Sequence, residues 1–173
     1  MPQYPLILPG QDITEAMLNA MLPQFAVKAA HTDRASTTVF AADPDLFLPL
    51  AANAVYRVEA WLLYGASAAG DFKTSWSVPS GATGNRSVLG PGSTALDGGA
   101  DNIAGRYGVH NFGTSINYNG VRDSTGNMVF VLEAATVVTA SAGDVAVLWA
   151  QNSSNATATR VGAGSILTAR RLA

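Results

Sequence analysis

From residue 36 onward, apolar and polar positions alternate with a period of two, the repeat of a strand with two different faces. Ala54–Tyr64 (AVYRVEAWLLY) shows it best. Tyr56, Val58, Ala60, Leu62 and Tyr64 fall on one face, and Val55, Arg57, Glu59, Trp61 and Leu63 on the other. The second face holds this segment's charges but also Trp61 and Leu63, so part of it is expected to be covered. Asp71–Val78 alternates almost as cleanly, with Phe72, Thr74, Trp76 and Val78 opposing Lys73, Ser75 and Ser77. Thr37–Phe40 and Leu46–Leu50 are expected to flank an Asp43-Pro44-Asp45 turn. Further β-structure is expected near Arg86–Leu89 and over Tyr107–Tyr118, Asn127–Ala140, Asp144–Gln151, Thr157–Val161 and Ser165–Leu172. Asn119-Gly120, Ser141–Asp144 and Gly162–Gly164 are turn signals. About eight strands, with turns every 8–12 residues, indicate an antiparallel sandwich or barrel. No internal repeat points to a propeller or solenoid.

The first 35 residues follow another rule. Pro2, Pro5 and Pro9 fix φ and remove N–H donors, so Met1–Gly10 reads as an extended arm. Asp12 precedes Glu15 at capping-box spacing, Ile13, Met17 and Met21 form a helical stripe, and Pro23 stops it. One short helix over about 12–22 is expected. Isolated helices of ~12–15 residues are marginal in water, so this one must dock, either on its own β-domain or on another protein. The expected organisation is an arm and helix over 1–35, then a β-sandwich over 36–173.

Composition narrows the function. Only 13% of the 173 residues are charged, with 10 basic and 12 acidic, and there is no cysteine. The lack of cysteine excludes disulfides and thiolate chemistry; the lack of a basic block argues against nucleic acid. A chain 48% hydrophobic and this poor in charge is expected to hide surface between subunits. No apolar run is long enough for a membrane helix, and no positive charge precedes the short apolar stretch at the start. The expectation is a soluble protein made in a cytoplasm.

Candidate chemistry is thin. His31 and His110 follow no nucleophile elbow, and no Walker loop, dinucleotide fingerprint or HExxH is present. Asp43 with Asp45, and Asp97 with Asp101, have the look of paired carboxylates, yet both sit among Pro, Gly and Asn, where Asp serves turns. Sequons at Asn85, Asn152 and Asn155 read as chance matches in Ser/Thr-rich stretches. Trp61, Trp76 and Trp149 lie inside strand patterns, which favours packing in a core or between subunits over sugar stacking. No catalytic residue, metal or cofactor is expected, and the chain is not read as an enzyme.

Three stretches carry a resemblance: LPGQDITEAMLNAMLPQFAVKAA (8–30), NAVYRVEAWLLYGASAAGDFKTSWSVPSGAT (53–83) and SAGDVAVLWAQNSSNATATRVGAGSILTARRL (141–172). They resemble small virion proteins of tailed phages, especially those infecting actinobacteria and their prophages. The layout is also similar to the jelly-roll sandwich of tumour-necrosis-factor-like and C1q-like trimers. The resemblance implies a capsid decoration protein that forms a homotrimer on the capsid surface, its partners being itself and the major capsid protein or tail proteins. By the same resemblance it is expected to be made in the host cytoplasm and to reside in the virion. Leu6, Ile7, Leu8, Ile13, Met17 and Met21 would anchor it, and Trp61, Leu63, Trp149 and Arg170 would meet neighbouring copies. A minor tail or fibre-tip protein, with loops 79–105 at a host surface, is the alternative. A carbohydrate-binding module is the third reading.

Overall fold

The computed structural model describes Pro5, residues 7–95 and residues 103–173. Two sheets face each other. The smaller has the order β3 (Ala41–Leu50), β10 (Gly143–Ala150), β5 (Phe72–Ser77), β8 (Ile116–Tyr118). The larger runs β1 (Gln24–Val27), β12 (Ile166–Arg171), β4 (Ala54–Ala66), β9 (Ser124–Thr139), β6 (Thr83–Ala95), β7 (Ile103–His110). Two short strands, β2 (Thr32–Arg34) and β11 (Thr159–Val161), pair with each other, and β11 also joins β4.

Leaving out β2, β11 and the β6–β7 hairpin, the chain order in the two sheets is first–last–third–sixth and second–seventh–fourth–fifth. The chain changes sheet at almost every connection, which is the jelly-roll winding of two Greek keys. The expected all-β, jelly-roll-like antiparallel sandwich is therefore what the chain builds. The β6–β7 hairpin is an insertion between β5 and β8 that widens the larger sheet beyond β9.

The core lies between the sheets. Tyr56, Val58, Ala60, Leu62 and Tyr64 of β4 are at most 3% exposed, and they meet Leu46, Phe72, Trp76, Val145, Val147 and Trp149 from the opposite sheet. Period-two alternation on β4 thus assigns its inner face residue by residue. Each such buried side chain contributes roughly 1.5–3 kcal/mol.

Three expectations need correction. Asp43-Pro44-Asp45 is not a turn between strands but part of β3, where the register against β10 slips between Ala146 and Leu148. β3 is an edge strand, where a proline's missing N–H leaves no ladder bond unmade. Thr37–Phe40 forms no strand. The helix, α1, is Glu15–Met21; its N-cap is Thr14, whose hydroxyl accepts from the Met17 N–H, and not Asp12.

The boundary at residue 35 also shifts. β1 pairs with β12 and β2 with β11, so residues 24–34 belong to the sandwich. What stands apart ends before residue 24. No residue of α1 is buried, and Ile7, Leu8, Ile13, Leu18, Met21 and Leu22 are exposed.

Candidate interaction surface

The outer face of the larger sheet is the feature that the core does not explain. Cross-strand partners share a face, so the register can be read across the sheet. Val27, Ile166, Trp61, Leu132, Leu89 and Tyr107 form one row across six strands. The next row is Phe25, Thr168, Glu59, Ala134, Ser87 and Val109. A third carries Arg170, Arg57, Thr136 and Asn85. Along the strands the face thus passes from apolar rows to a charged one, and beyond it to Val55 opposite Val138.

Several of its apolar members are open to solvent, while Ile166, Leu132 and Leu89 are half-buried. Trp61 is 41% exposed, Phe25 67% and Tyr107 77%, with Val27, Val109 and Phe130 also exposed. Trp61 and Phe130 stack with centroids 4.7 Å apart and planes 2° from parallel, making a rigid ridge. On the same face lies a shallow hollow lined by Gly84, Asn85, Ser87, Ala134, Thr136 and Arg57. Gly84 is required there: its φ is +136°, and a Cβ would sit 2.0 Å from the Thr136 carbonyl oxygen. Arg57 donates through Nε to Glu59 at 3.0 Å, so the polar part of the face carries both signs.

The polar residues inside the sandwich form two centres, each spanning the two sheets. At the edge where β6 lies by β8, Glu133 is fully buried. It accepts from Thr74 Oγ1 at 2.5 Å, Tyr118 OH at 2.8 Å, Trp76 Nε1 at 2.6 Å and Arg86 Nη1 at 2.9 Å. Four donors fill the carboxylate's acceptor sites, which is what lets a charge lie in a core. Arg86, also buried, gives Nη2 to the Thr114 carbonyl at 2.7 Å. Burial, and then the charge of Glu133, push the Tyr118 hydroxyl far above its ordinary pKa.

At the opposite edge, where β1 lies by β3, Lys28 Nζ donates to Asp43 Oδ1 and Asp45 Oδ2, both at 2.9 Å. Trp149 Nε1 donates to Asp43 Oδ2 at 2.9 Å. Arg34 stacks on Trp149 at 3.9 Å and donates to the carbonyls of Ala41, Ala42 and Trp149.

The comparisons with known proteins add little. No family model and no curated protein matches the chain. Two solved structures of infectious bursal disease virus are similar to it over 87% of its length. The Gx strain gives 14% identity and a TM-score of 0.20, and the Gt strain 10% and 0.19. The chain spans about two fifths of the length of those viral chains. Scores at this level do not establish a shared fold, and the jelly-roll assignment rests on the strand order alone.

The sequence-derived site residues divide accordingly. Trp61 lies on the outer face, Leu63 is half-buried on the same side of β4, and Arg170 is exposed in the charged row. Trp149 is corrected: it is fully buried against Phe72, Arg34 and Asp43, so it is a core residue with no surface left for a second copy. Ile7, Leu8, Ile13 and Met21 are exposed and Met17 is half-buried, while Leu6 lies outside the described residues. Asp97 and Asp101 lie outside them too. Asp43 and Asp45 share the Lys28 ammonium, and His31 Nδ1 accepts the Ala163 N–H at 3.0 Å. Among the described residues, no group of three or more His, Cys, Asp or Glu could hold a metal ion. No helix among them is long and apolar enough to cross a membrane.

Sequence reasoning missed Phe25, Val27, Phe130, Tyr107 and Val109 on the outer face, and Arg86 and Glu133 inside. One signal for the interior was present: Glu133 is the sole charge in the otherwise apolar and neutral run 127–140.

Proposed function

We propose that this chain is a non-enzymatic structural protein of a tailed-phage particle, a capsid decoration protein whose copies close into a ring through the outer face of the larger sheet. The observation that carries the reading is the continuous apolar row from Val27 to Tyr107, exposed at Val27, Trp61 and Tyr107 and half-buried at Ile166, Leu132 and Leu89. An exposed apolar face this wide marks an interaction site.

A second copy is the occupant that fits. The Trp61–Phe130 ridge and the hollow around Gly84 lie on one face, so the ridge of one copy can enter the hollow of the next. Such a head-to-tail contact generates rings, of which a homotrimer is the smallest, whereas a self-facing contact gives a dimer. Residues 7–22, apolar and with no helical residue buried, are the anchor to the particle. The virion setting comes from the resemblance of residues 8–30, 53–83 and 141–172.

The test mixes purified protein with undecorated capsids of its host phage. The reading predicts saturable binding that a triple change in the anchor, Ile13→Asp, Leu18→Asp and Met21→Asp, removes without altering the thermal unfolding of the free protein. Binding that survives the triple change would overturn the anchor. Binding to isolated tails in place of capsids would select a minor tail or fibre-tip role instead.

A further inference from the structure

We infer that Lys28 and Asp43 form an intramolecular isopeptide bond, an amide between the lysine Nζ and the aspartate Cγ that staples the β1 end to β3. The amine and the carboxyl already touch, at 2.9 Å, and both residues are 1% exposed. Three further groups surround the carboxyl in the positions that acylation of an amine needs.

Asp45 supplies the first. Its carboxylate accepts from the same Nζ at 2.9 Å, while its backbone N–H donates to Asp43 Oδ1 at 3.0 Å. Its carboxylate thus holds the attacking nitrogen, and its backbone N–H holds one of the two carboxyl oxygens. Trp149 supplies the second: its Nε1–H donates to Asp43 Oδ2, the other oxygen, and can hold the negative charge that develops there. Arg34 is the third. Stacked on the Trp149 ring and tied to three backbone carbonyls, it fixes the indole in place.

The step balances without a co-reactant. A proton passes from the Lys28 ammonium to the Asp43 carboxylate within the dry contact, leaving a neutral amine and a carboxylic acid. The Nζ lone pair then forms a bond to Cγ, and the C=O π pair moves onto Oδ2 beneath the Trp149 N–H. Asp45 takes the second proton from nitrogen and delivers it to Oδ1. The Cγ–Oδ1 bond breaks, Oδ2 becomes the carbonyl again, and one water leaves. Nothing is oxidised or reduced.

Two physical arguments favour the reaction at this position. Holding nucleophile and electrophile in contact supplies effective molarities of about 10⁵ M or more. The product is a neutral amide in place of a buried ion pair, which relieves the desolvation that burying two charges costs. The other buried ion pair among the described residues, Arg86–Glu133, cannot follow, because a guanidinium has no free amine and all four acceptor sites of Glu133 are filled.

The bond sits where load would enter. β1 joins the exposed anchor segment to the sandwich and is held to the sheet by four residue pairs with β12. A covalent link one residue beyond β1 halts any peeling that starts from that segment at residue 28, so tension goes into β3 and the rest of the sandwich stays folded. A chain with no cysteine has no disulfide to do this.

Mass spectrometry decides it. The denatured wild-type chain, taken from folded protein, should weigh one water less than its sequence requires. Digestion should yield a branched peptide joining Lys28 to Asp43. Asp45→Asn and Lys28→Met should both restore the full mass. Wild-type protein that is folded, aged and still of full mass would overturn the proposal, and so would a water loss that persists in Lys28→Met. Either reading of the wild-type mass stands whether or not the variants fold.

Discussion

The two faces of β4 differ in composition and in what covers them. One presents Tyr56, Val58, Ala60, Leu62 and Tyr64 to the opposite sheet, and none is more than 3% exposed. The other presents Trp61 beside Arg57 and Glu59, with Leu63 half-buried, in register with apolar residues of five other strands. Among the described residues, Trp61 and its neighbours Phe25, Val27, Tyr107, Val109 and Phe130 stay exposed. Tertiary packing explains the first face completely. The second is intelligible as the inner face of something larger.

That contrast can be broken from the inside first. Glu133→Ala leaves Arg86 buried without its counter-ion, and such a loss costs about 3–5 kcal/mol. Chemical denaturation should show it as a large fall in the midpoint. Replacing both partners by apolar residues, Arg86→Met with Glu133→Leu, should recover only part of the loss: no orphan charge remains, but Thr74, Trp76 and Tyr118 keep no acceptor.

From the outside the expectation reverses. Trp61→Glu removes one aromatic pair, worth about 0.5–1.5 kcal/mol, from the fold. Its effect on assembly should be far larger, because a charge then sits in the apolar row. A variant that loses the oligomer and keeps its unfolding temperature separates the two faces cleanly.

Alkali tests the inner face by another route. Burial, ahead of the nearby Asp71, raises the Tyr64 hydroxyl well above its ordinary range, and burial with Glu133 does the same to Tyr118. Groups whose folded pKa is raised contribute stability below the unfolded value, near 10, and lose it as pH climbs above that value. Stability should therefore fall beyond about pH 10, with tyrosinate absorbance rising together with unfolding.

The smallest effect belongs to an exposed pair. Arg160 donates through Nε and Nη2 to Asp33 at 2.7 Å, and this bond holds the Asp33 carboxyl below its usual range. A depressed carboxylate contributes above its unfolded value, near 3.9, and its contribution is lost as pH falls through the folded one. Asp33→Asn should cost at most about 1 kcal/mol, less in high salt.

Much of the sandwich was legible because alternation is a local property. β4, β5, β9 and β10 fell where period two placed them, and the inner face of β4 followed without knowledge of its partners. Register is not local. Nothing in the sequence says that Trp61 stands opposite Leu132 or that Leu89 leads on to Tyr107, so the outer face was visible only through Trp61 and Leu63. The same limit hid the interior charges. Trp149 looks like any strand tryptophan until Asp43 is seen to receive its N–H. Asp43-Pro44-Asp45 has the composition of a turn, and only an edge position with a register slip lets a strand absorb it.

The central claim is that the outer face of the larger sheet is buried between copies. Sedimentation velocity on the wild-type chain and on Trp61→Glu, at the same micromolar concentrations, tests it most directly. The account predicts a closed oligomer, a trimer, for the wild type and a folded monomer for the variant. A wild-type chain that sediments as a monomer across that range would contradict it.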